Sequence, residues 1–325
     1  MRTIEDLKSF YDGALRQKMM VLEDRRKNIS FKILLMLGIM MFFLMLAFLA
    51  SVIFKNPIIF IFAAIGLGLM ALLFFFIFIN SESKSFKSDF KRQIVGEIVK
   101  FVNSNLSYIP ENGIGQPAYM QSRIFLTQPD RYKCEDYVSG KIGETSIEFS
   151  EVHSEYKTET TDSKGNRQTH WHTIFRGLLF IADFNKNFTG TTVVLPDFAE
   201  STFGFLGKIF QSWNLSRTEK LIKLEDPDFE KLFVVYGDDQ ITARYILTPA
   251  LMQRLVEFRL RMKDTIYLSF RDSKVYVAVS VAKDLFEPRL FRTNDNFELI
   301  REYFNYLELA GKIIEELNLN TRIWK

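Results

Sequence analysis

The chain reads as an α+β protein. An N-terminal transmembrane helical hairpin with helical stalks precedes a largely antiparallel sheet with flanking helices. Three observations predict this. Two long uncharged runs are separated only by Lys55 and Asn56. Apolar residues recur at three- and four-residue steps on both sides of those runs, as on one helix face. From Arg131 onward, alternating apolar residues, turn signals and short helical stretches follow one another.

Composition narrows the class. Of 325 residues, 47% are hydrophobic, 25% are charged and 33 are Phe, which excludes general disorder. The net charge is only +3 and no basic stripe stands out, which argues against nucleic acid as a partner. A single cysteine, Cys134, excludes an intramolecular disulfide and a thiolate cluster, and it agrees with a reducing compartment.

The first uncharged run, Ile33 to Phe54, covers roughly 30 Å as a helix, the hydrocarbon thickness of a bilayer. The second runs from Pro57 to Ile79, with Pro57 suited to a first helical turn. Neither run offers the polar face of a buried core helix, and the first begins too late and is too long for a signal peptide. Basic residues flank the pair: Arg2, Lys8, Arg16, Lys18, Arg25, Arg26, Lys27 and Lys32 before it, and Lys84, Lys87, Lys91, Arg92 and Lys100 after it. The turn offers Lys55 alone, so both termini are expected in the cytoplasm. No ionisable residue lies inside either run, which argues against an ion or proton path through these helices. Ala63, Ala64, Gly68 and Ala71 would let the partner helix approach closely.

Ile4, Leu7, Tyr11, Leu15, Met19 and Leu22 share one helical face, and Phe86, Phe90, Ile94, Ile98 and Phe101 share another. The favoured reading packs these stripes together as an antiparallel stalk; the competing one lays a stripe flat on the membrane. Ser107 to Pro117 is a loop, with two prolines and an Asn-Gly pair. The expected organisation is an amphipathic cytoplasmic helix over 1–32, spans over 33–54 and 57–79, a stalk over 80–106 and a cytoplasmic α+β domain over 118–325.

Within that domain, Thr145 to Lys157 and His170 to Asp183 read as a hairpin with a polar tip, with a change of phase near Glu151. Thr191 to Leu195, Leu221 to Leu224 and Leu232 to Tyr236 read as strands. Ile266 to Phe270 and Lys274 to Val281 form a second hairpin about Arg271-Asp272-Ser273. Thr248-Pro249 opens a helix, Asp238-Asp239 precedes another as a cap, and a last helix runs from about Asp295 to Leu317.

Chemistry is sparsely signalled. His153, His170 and His172 fall close together. His170 and His172 share a strand face, and His153 joins them only in one register. Three imidazoles on one face would suit zinc, with Glu155 or Glu159 as a fourth ligand; the plainer reading is a solvated hairpin end. Phe203, Phe205, Phe210 and Trp213 lie on a helical stripe that suits either a core helix or contact with the membrane. No catalytic or cofactor motif is present, and Cys134 reads as a half-buried strand thiol.

Several runs together resemble a bacterial membrane-protein family of unknown function, domain of unknown function 3137. They are Phe175 to Lys186 (FRGLLFIADFNK), Val194 to Asp197 (VLPD), Asp239 to Pro249 (DQITARYILTP) and Leu317 to Trp324 (LNLNTRIW). The resemblance implies a bacterial inner-membrane protein and supplies no reaction. Gly177 inside a strand suggests a bulge or a close backbone approach, and Arg244 and Arg322 suggest partly buried, paired arginines. The expected function is a membrane-anchored binding or scaffold module with a membrane or cytoplasmic protein partner. Lipid or envelope-related handling at the inner leaflet is the alternative, and a metal-dependent enzyme built on the histidines is the third reading.

Overall fold

The computed structural model describes residues 2–74, 77, 79–161, 165–197, 217–262 and 264–320. It divides into two compact units: Met1–Glu97 with Phe286–Tyr303, and Ile98–Leu285 with Phe304–Lys325. The expected boundary at residues 107–117 is not where the units part. Leu106–Ile109 is an edge strand paired with Arg131–Ile142, which draws the preceding residues into the sheet unit.

The first unit is helical. Helix α1 spans Ile4–Ile53 and contains a π-helical turn at Tyr11–Leu15. Thr3 caps it: its hydroxyl accepts the Asp6 N–H, and the Asp6 carboxylate accepts the Thr3 N–H, a reciprocal capping box. Helix α2 spans Pro57–Phe74, and α3 spans Asn80–Phe90, followed by a π turn at Lys91–Val95. Leu7, Tyr11, Leu15, Met19, Leu22, Phe86, Phe90 and Ile94 are all buried, so most of the two stripes forms the core of this unit, while Ile4 at the end of the first is 54% exposed and Ile98 and Phe101 fall in the second unit. Arg25–Asp89 and Lys32–Glu82 ion pairs link α1 to α3 along its length.

The C-terminal part of the chain also belongs to this core. Tyr11 meets Phe297 with tilted rings 5.6 Å apart and its hydroxyl donates to Asp295, while Phe90 meets Tyr303 edge-on. Below the apolar run, Glu23 accepts two N–H bonds from Arg26 and the N–H of Asn294. Burial opposes ionisation of Glu23, yet those donors outweigh it and hold the carboxyl below its ordinary value.

The second unit is built on a nine-stranded antiparallel sheet, in the order β1-β2-β3-β4-β9-β8-β5-β7-β6. The strands are β1 Leu106–Ile109, β2 Arg131–Ile142, β3 Thr145–Thr161, β4 Arg167–Asp183, β5 Thr191–Pro196, β6 Lys220–Ile222, β7 Phe233–Gly237, β8 Ile266–Arg271 and β9 Lys274–Ser280. Asp272 and Ser273 both have positive φ, giving β8 and β9 the two-residue turn that matches strand twist. Residues 156–161 and 167–172 pair only with each other, so the β3–β4 hairpin extends beyond its neighbours as a two-stranded ribbon.

Both sheet faces are covered. Val152, Leu179, Val193 and Tyr276 share one, the first face, under Tyr119 and Phe125. Phe149, Phe180, Val277 and Phe270 share the second and are fully buried. Asp239 and Thr248 cap their helices as expected, accepting the N–H groups of Thr242 and Leu251. Arg244 does pair with a carboxylate, Glu225, but both are exposed. Arg322 lies outside the described residues.

Gly177 has φ +150°, and a Cβ there would stand 2.0 Å from the Val279 carbonyl oxygen. That is the close backbone approach the strand glycine suggests. Because the obstacle is the neighbouring strand's main chain, Gly177→Ala is expected to lower the stability of the full chain by about 3 kcal/mol or more. Denaturant unfolding of the two proteins measures this; equal midpoints would refute it.

Candidate functional site

One polar hollow opens on the first sheet face. Its floor comes from four adjacent strands: Tyr137 and Ser139 on β2, Ser146 and Glu148 on β3, Asp183 on β4 and Lys274 on β9. The register explains the gathering. Ser139 pairs with Glu148, Glu148 with Ile181, and Asp183 with Lys274, and cross-strand partners point to the same side. A bulge between Glu135 and Val138 places Tyr137 on that side as well.

The hollow has a volume of about 280 Å³. A second one, of about 160 Å³, shares Asp183 and is lined by Glu144, Thr145, Asn185, Asn187 and Leu319. Their common wall is firmly held. The Asn320 side-chain oxygen accepts the Glu144 N–H at 3.1 Å and the Thr145 hydroxyl at 2.9 Å. The Asn185 amide donates to the Asn318 carbonyl at 2.8 Å. The resembling runs at 175–186 and 317–324 therefore meet at this wall.

The Tyr137 hydroxyl donates to Glu148 at 2.5 Å. Burial first, then that bond and the Glu148 charge, push its pKa above the ordinary tyrosine value. Ser139 shares its hydroxyl contacts with Ser107, and no imidazole lines the hollow. Two carboxylates, an ammonium and hydroxyls can bind a polar or cationic group. The described lining offers no nucleophile held by a base, the arrangement that acyl transfer needs.

The histidines divide between the two faces. His172 pairs with Tyr156 and His170 with Thr158 on the first face, whereas His153 pairs with Arg176 on the second. Of the two registers the sequence leaves open, this is the one that keeps His153 off the face shared by His170 and His172. The strand alternates faces at every residue, and the ladder around residues 147–154 is continuous, so His153 cannot turn toward the pair. His172 stacks on Tyr156 and meets the Thr158 hydroxyl at 2.8 Å; His170 meets Thr160 at 3.4 Å; His153 faces Glu155 at 3.7 Å. Among the described residues, no group of three or more His, Cys, Asp or Glu is placed to hold a metal. Phe203, Phe205, Phe210 and Trp213 lie outside the described residues.

Sequence reasoning passed over Tyr137, Glu148 and Lys274, and placed Asp183 only as the end of a strand. It also passed over Glu151, which is 3% exposed on the second face and accepts the Leu285 N–H at 2.8 Å. Burial dominates there and raises its pKa to about 8. The Leu285 bond works against the rise, and the charges of Asp136, Glu135 and Asp284 add to it. The signal available was the change of phase near Glu151 itself.

Residues 173–319 match a family described as protein of unknown function (DUF3137), which bears out the resemblance over that stretch. No curated protein matches the chain. Among solved structures, the crystal structure of the mycobacterial trehalose monomycolate transport factor A, TtfA, aligns at 10% identity and a TM-score of 0.33. The alignment covers 67% of this chain and 97% of that one. A likeness that distant carries no argument about this chain.

The elevated Glu151 value sets a pH dependence. Between about pH 4.5 and 8 the folded chain keeps this proton and the unfolded chain loses it, so stability falls as pH rises through that window and the loss is complete above it. Glu151→Gln keeps an acceptor for Leu285 and removes the titration. The variant should match the parent below about pH 4.5 and exceed it above pH 8 by roughly 2–4 kcal/mol. Melting curves across this range measure the difference, and a constant gap at every pH would refute the assignment.

Proposed function

We propose that this chain is a membrane-anchored binding module at the cytoplasmic face of the bacterial inner membrane, with two spans and both termini inside. The sheet unit would take a polar ligand or partner segment in the hollow around Glu148 and Asp183. The observation that carries this reading is exposed apolar surface. One helix, Ile4–Ile53, is long and apolar enough to cross a membrane, and its apolar window is not buried. Met41, Ile53 and Phe62 are 69%, 73% and 71% exposed, amid many others. Soluble chains rarely leave so large a continuous apolar patch in water.

The apolar stretch Phe60–Phe74 of the second helix, α2, is shorter by itself. It is read as a span because the uncharged run continues to Ile79. The orientation rests on the basic residues before Ile33 and after Ile79. The binding role rests on a built polar hollow with no reacting pair.

A second reading, lipid handling, is favoured by one feature. An apolar hollow of about 260 Å³ lies between α1 and α2, lined by Leu35, Met36, Ile39, Leu67, Met70 and Phe74 among others, with Lys32 at its margin. A space of that size and character suits a length of acyl chain.

Alkaline carbonate extraction should leave the full chain in the membrane pellet. Reporters active only outside the cytoplasm should stay silent at either terminus. Release into the supernatant, or an active external reporter, would refute the anchoring and the orientation respectively.

A further inference from the structure

Resting on that anchored reading, we infer that the loop from Arg289 to Asn294 is a second, surface contact with the bilayer. Phe291 enters the headgroup layer, and Arg289 and Arg292 meet the anionic phosphates of lipid headgroups.

The loop is built rather than slack. Asn294 is 4% exposed and closes it from inside. Its side-chain oxygen accepts the Arg289 N–H at 2.8 Å, and its side-chain amide donates to the Arg289 carbonyl at 2.9 Å. The Asn294 N–H in turn reaches Glu23 on α1. At the loop's other side, the Leu290 carbonyl accepts both the Arg26 guanidinium and the Ser30 hydroxyl.

Those anchors fix the loop's height along α1. Ser30 lies three residues before Ile33, where the uncharged run begins. At 1.5 Å of rise per residue that is about 5 Å, within the roughly 5–8 Å of headgroup layer flanking the hydrocarbon.

What the loop displays suits that level. Phe291 is 64% exposed, between the exposed Arg289 and Arg292. An aromatic ring flanked by cations matches the chemistry of the interface. Several basic groups of the unit near this level are answered internally: Arg25 by Asp89, Arg26 by Glu23, Lys32 by Glu82, and Lys87 and Lys91 by Glu287. Among the described residues, neither Arg289 nor Arg292 has a carboxylate partner. The positive charge left over stands beside the membrane-crossing helix, where anionic lipid attracts it.

The test uses the full chain carrying Cys134→Ala and Phe291→Cys, labelled with an environment-sensitive fluorophore and reconstituted into vesicles. One set is zwitterionic phosphatidylcholine; the other contains phosphatidylglycerol. A Thr161→Cys label on the exposed hairpin tip is the control. Flotation comes first: a chain that fails to float with vesicles refutes the anchoring itself. In chains that float, the label at 291 should emit to the blue of the tip label and be quenched by headgroup-proximal nitroxide lipids. The shift should be larger with phosphatidylglycerol, and Arg289→Ala with Arg292→Ala should abolish that increment while flotation persists. Emission at 291 equal to the tip label would overturn this inference and leave the anchor standing. So would a blue shift that appears only on adding a protein fraction. An equal shift in both lipid sets would overturn the anionic part.

Discussion

No charged side chain stands between Ile33 and Phe54, and the rest of the molecule is arranged around that constraint. In hydrocarbon every backbone polar group must be satisfied within the segment, which the helix does, and each charge at its centre would oppose insertion by about 2.5–3.5 kcal/mol. The same helix carries a different chemistry before the run begins. Glu23, Arg26 and Ser30 are nearly buried there, each tied by hydrogen bonds to the returning C-terminal segment. One continuous helix thus offers bare apolar surface over one length and a saturated polar network over the next.

The sheet is organised by a subtler constraint, the change of cover along β3. From Ile147 to Phe149 the buried residues face the second side and the polar ones the first, where they floor the hollow. From Val152 onward the apolar residues are on the first side. On the β4 side the ladder does not slip between them: residues 147–154 pair with β4 without interruption, and that ladder shifts only later, between Ser154 and Glu155, while the bulge facing this stretch lies in β2, between Glu135 and Val138. The strand passes from beneath one core to beneath the other. Glu151 sits at the crossing, buried on the second face and paired with Leu178. A carboxylate at a crossing of cores is solvated by neither, which is why burial dominates its ionisation. The hollow and the buried acid are two outcomes of one change of phase.

That change was visible in the sequence, but its cause was not. Periodicity shows that the apolar phase shifts near Glu151; it does not say whether the strand bulges or the cover changes, since both leave the same pattern. Elements with local chemistry were legible. The Asp239 and Thr248 caps, the hairpin about Arg271-Asp272-Ser273 and the close approach at Gly177 all follow from residues within a few positions of each other or from one glycine. The two stalk stripes were legible for the same reason. The hollow was not, because its six polar residues come from four strands and only the register brings them together. The three-histidine face failed at the same point: spacing within a strand fixes His170 against His172, while His153 depends on pairing that no short window contains.

The returning segment shows what kind of information was missing. Phe286–Tyr303 joins the helical unit through Asn294, the Leu290 carbonyl and Asp295, whose partners lie some 260 to 280 residues earlier in the chain. An apolar stripe announces that it needs a partner, because exposing it to water is unfavourable. A polar side chain makes no such announcement: Asn294 would look the same in a solvated turn. Its burial becomes tolerable only when Glu23 and the Arg289 main chain satisfy it together. A segment held by apolar packing alone could slide along the stalk at little penalty, whereas directional bonds to Arg26, Ser30 and Glu23 admit one height. The polar network is therefore what sets the level of the Arg289–Asn294 loop, and with it which side chains the helical unit presents beside its long apolar run.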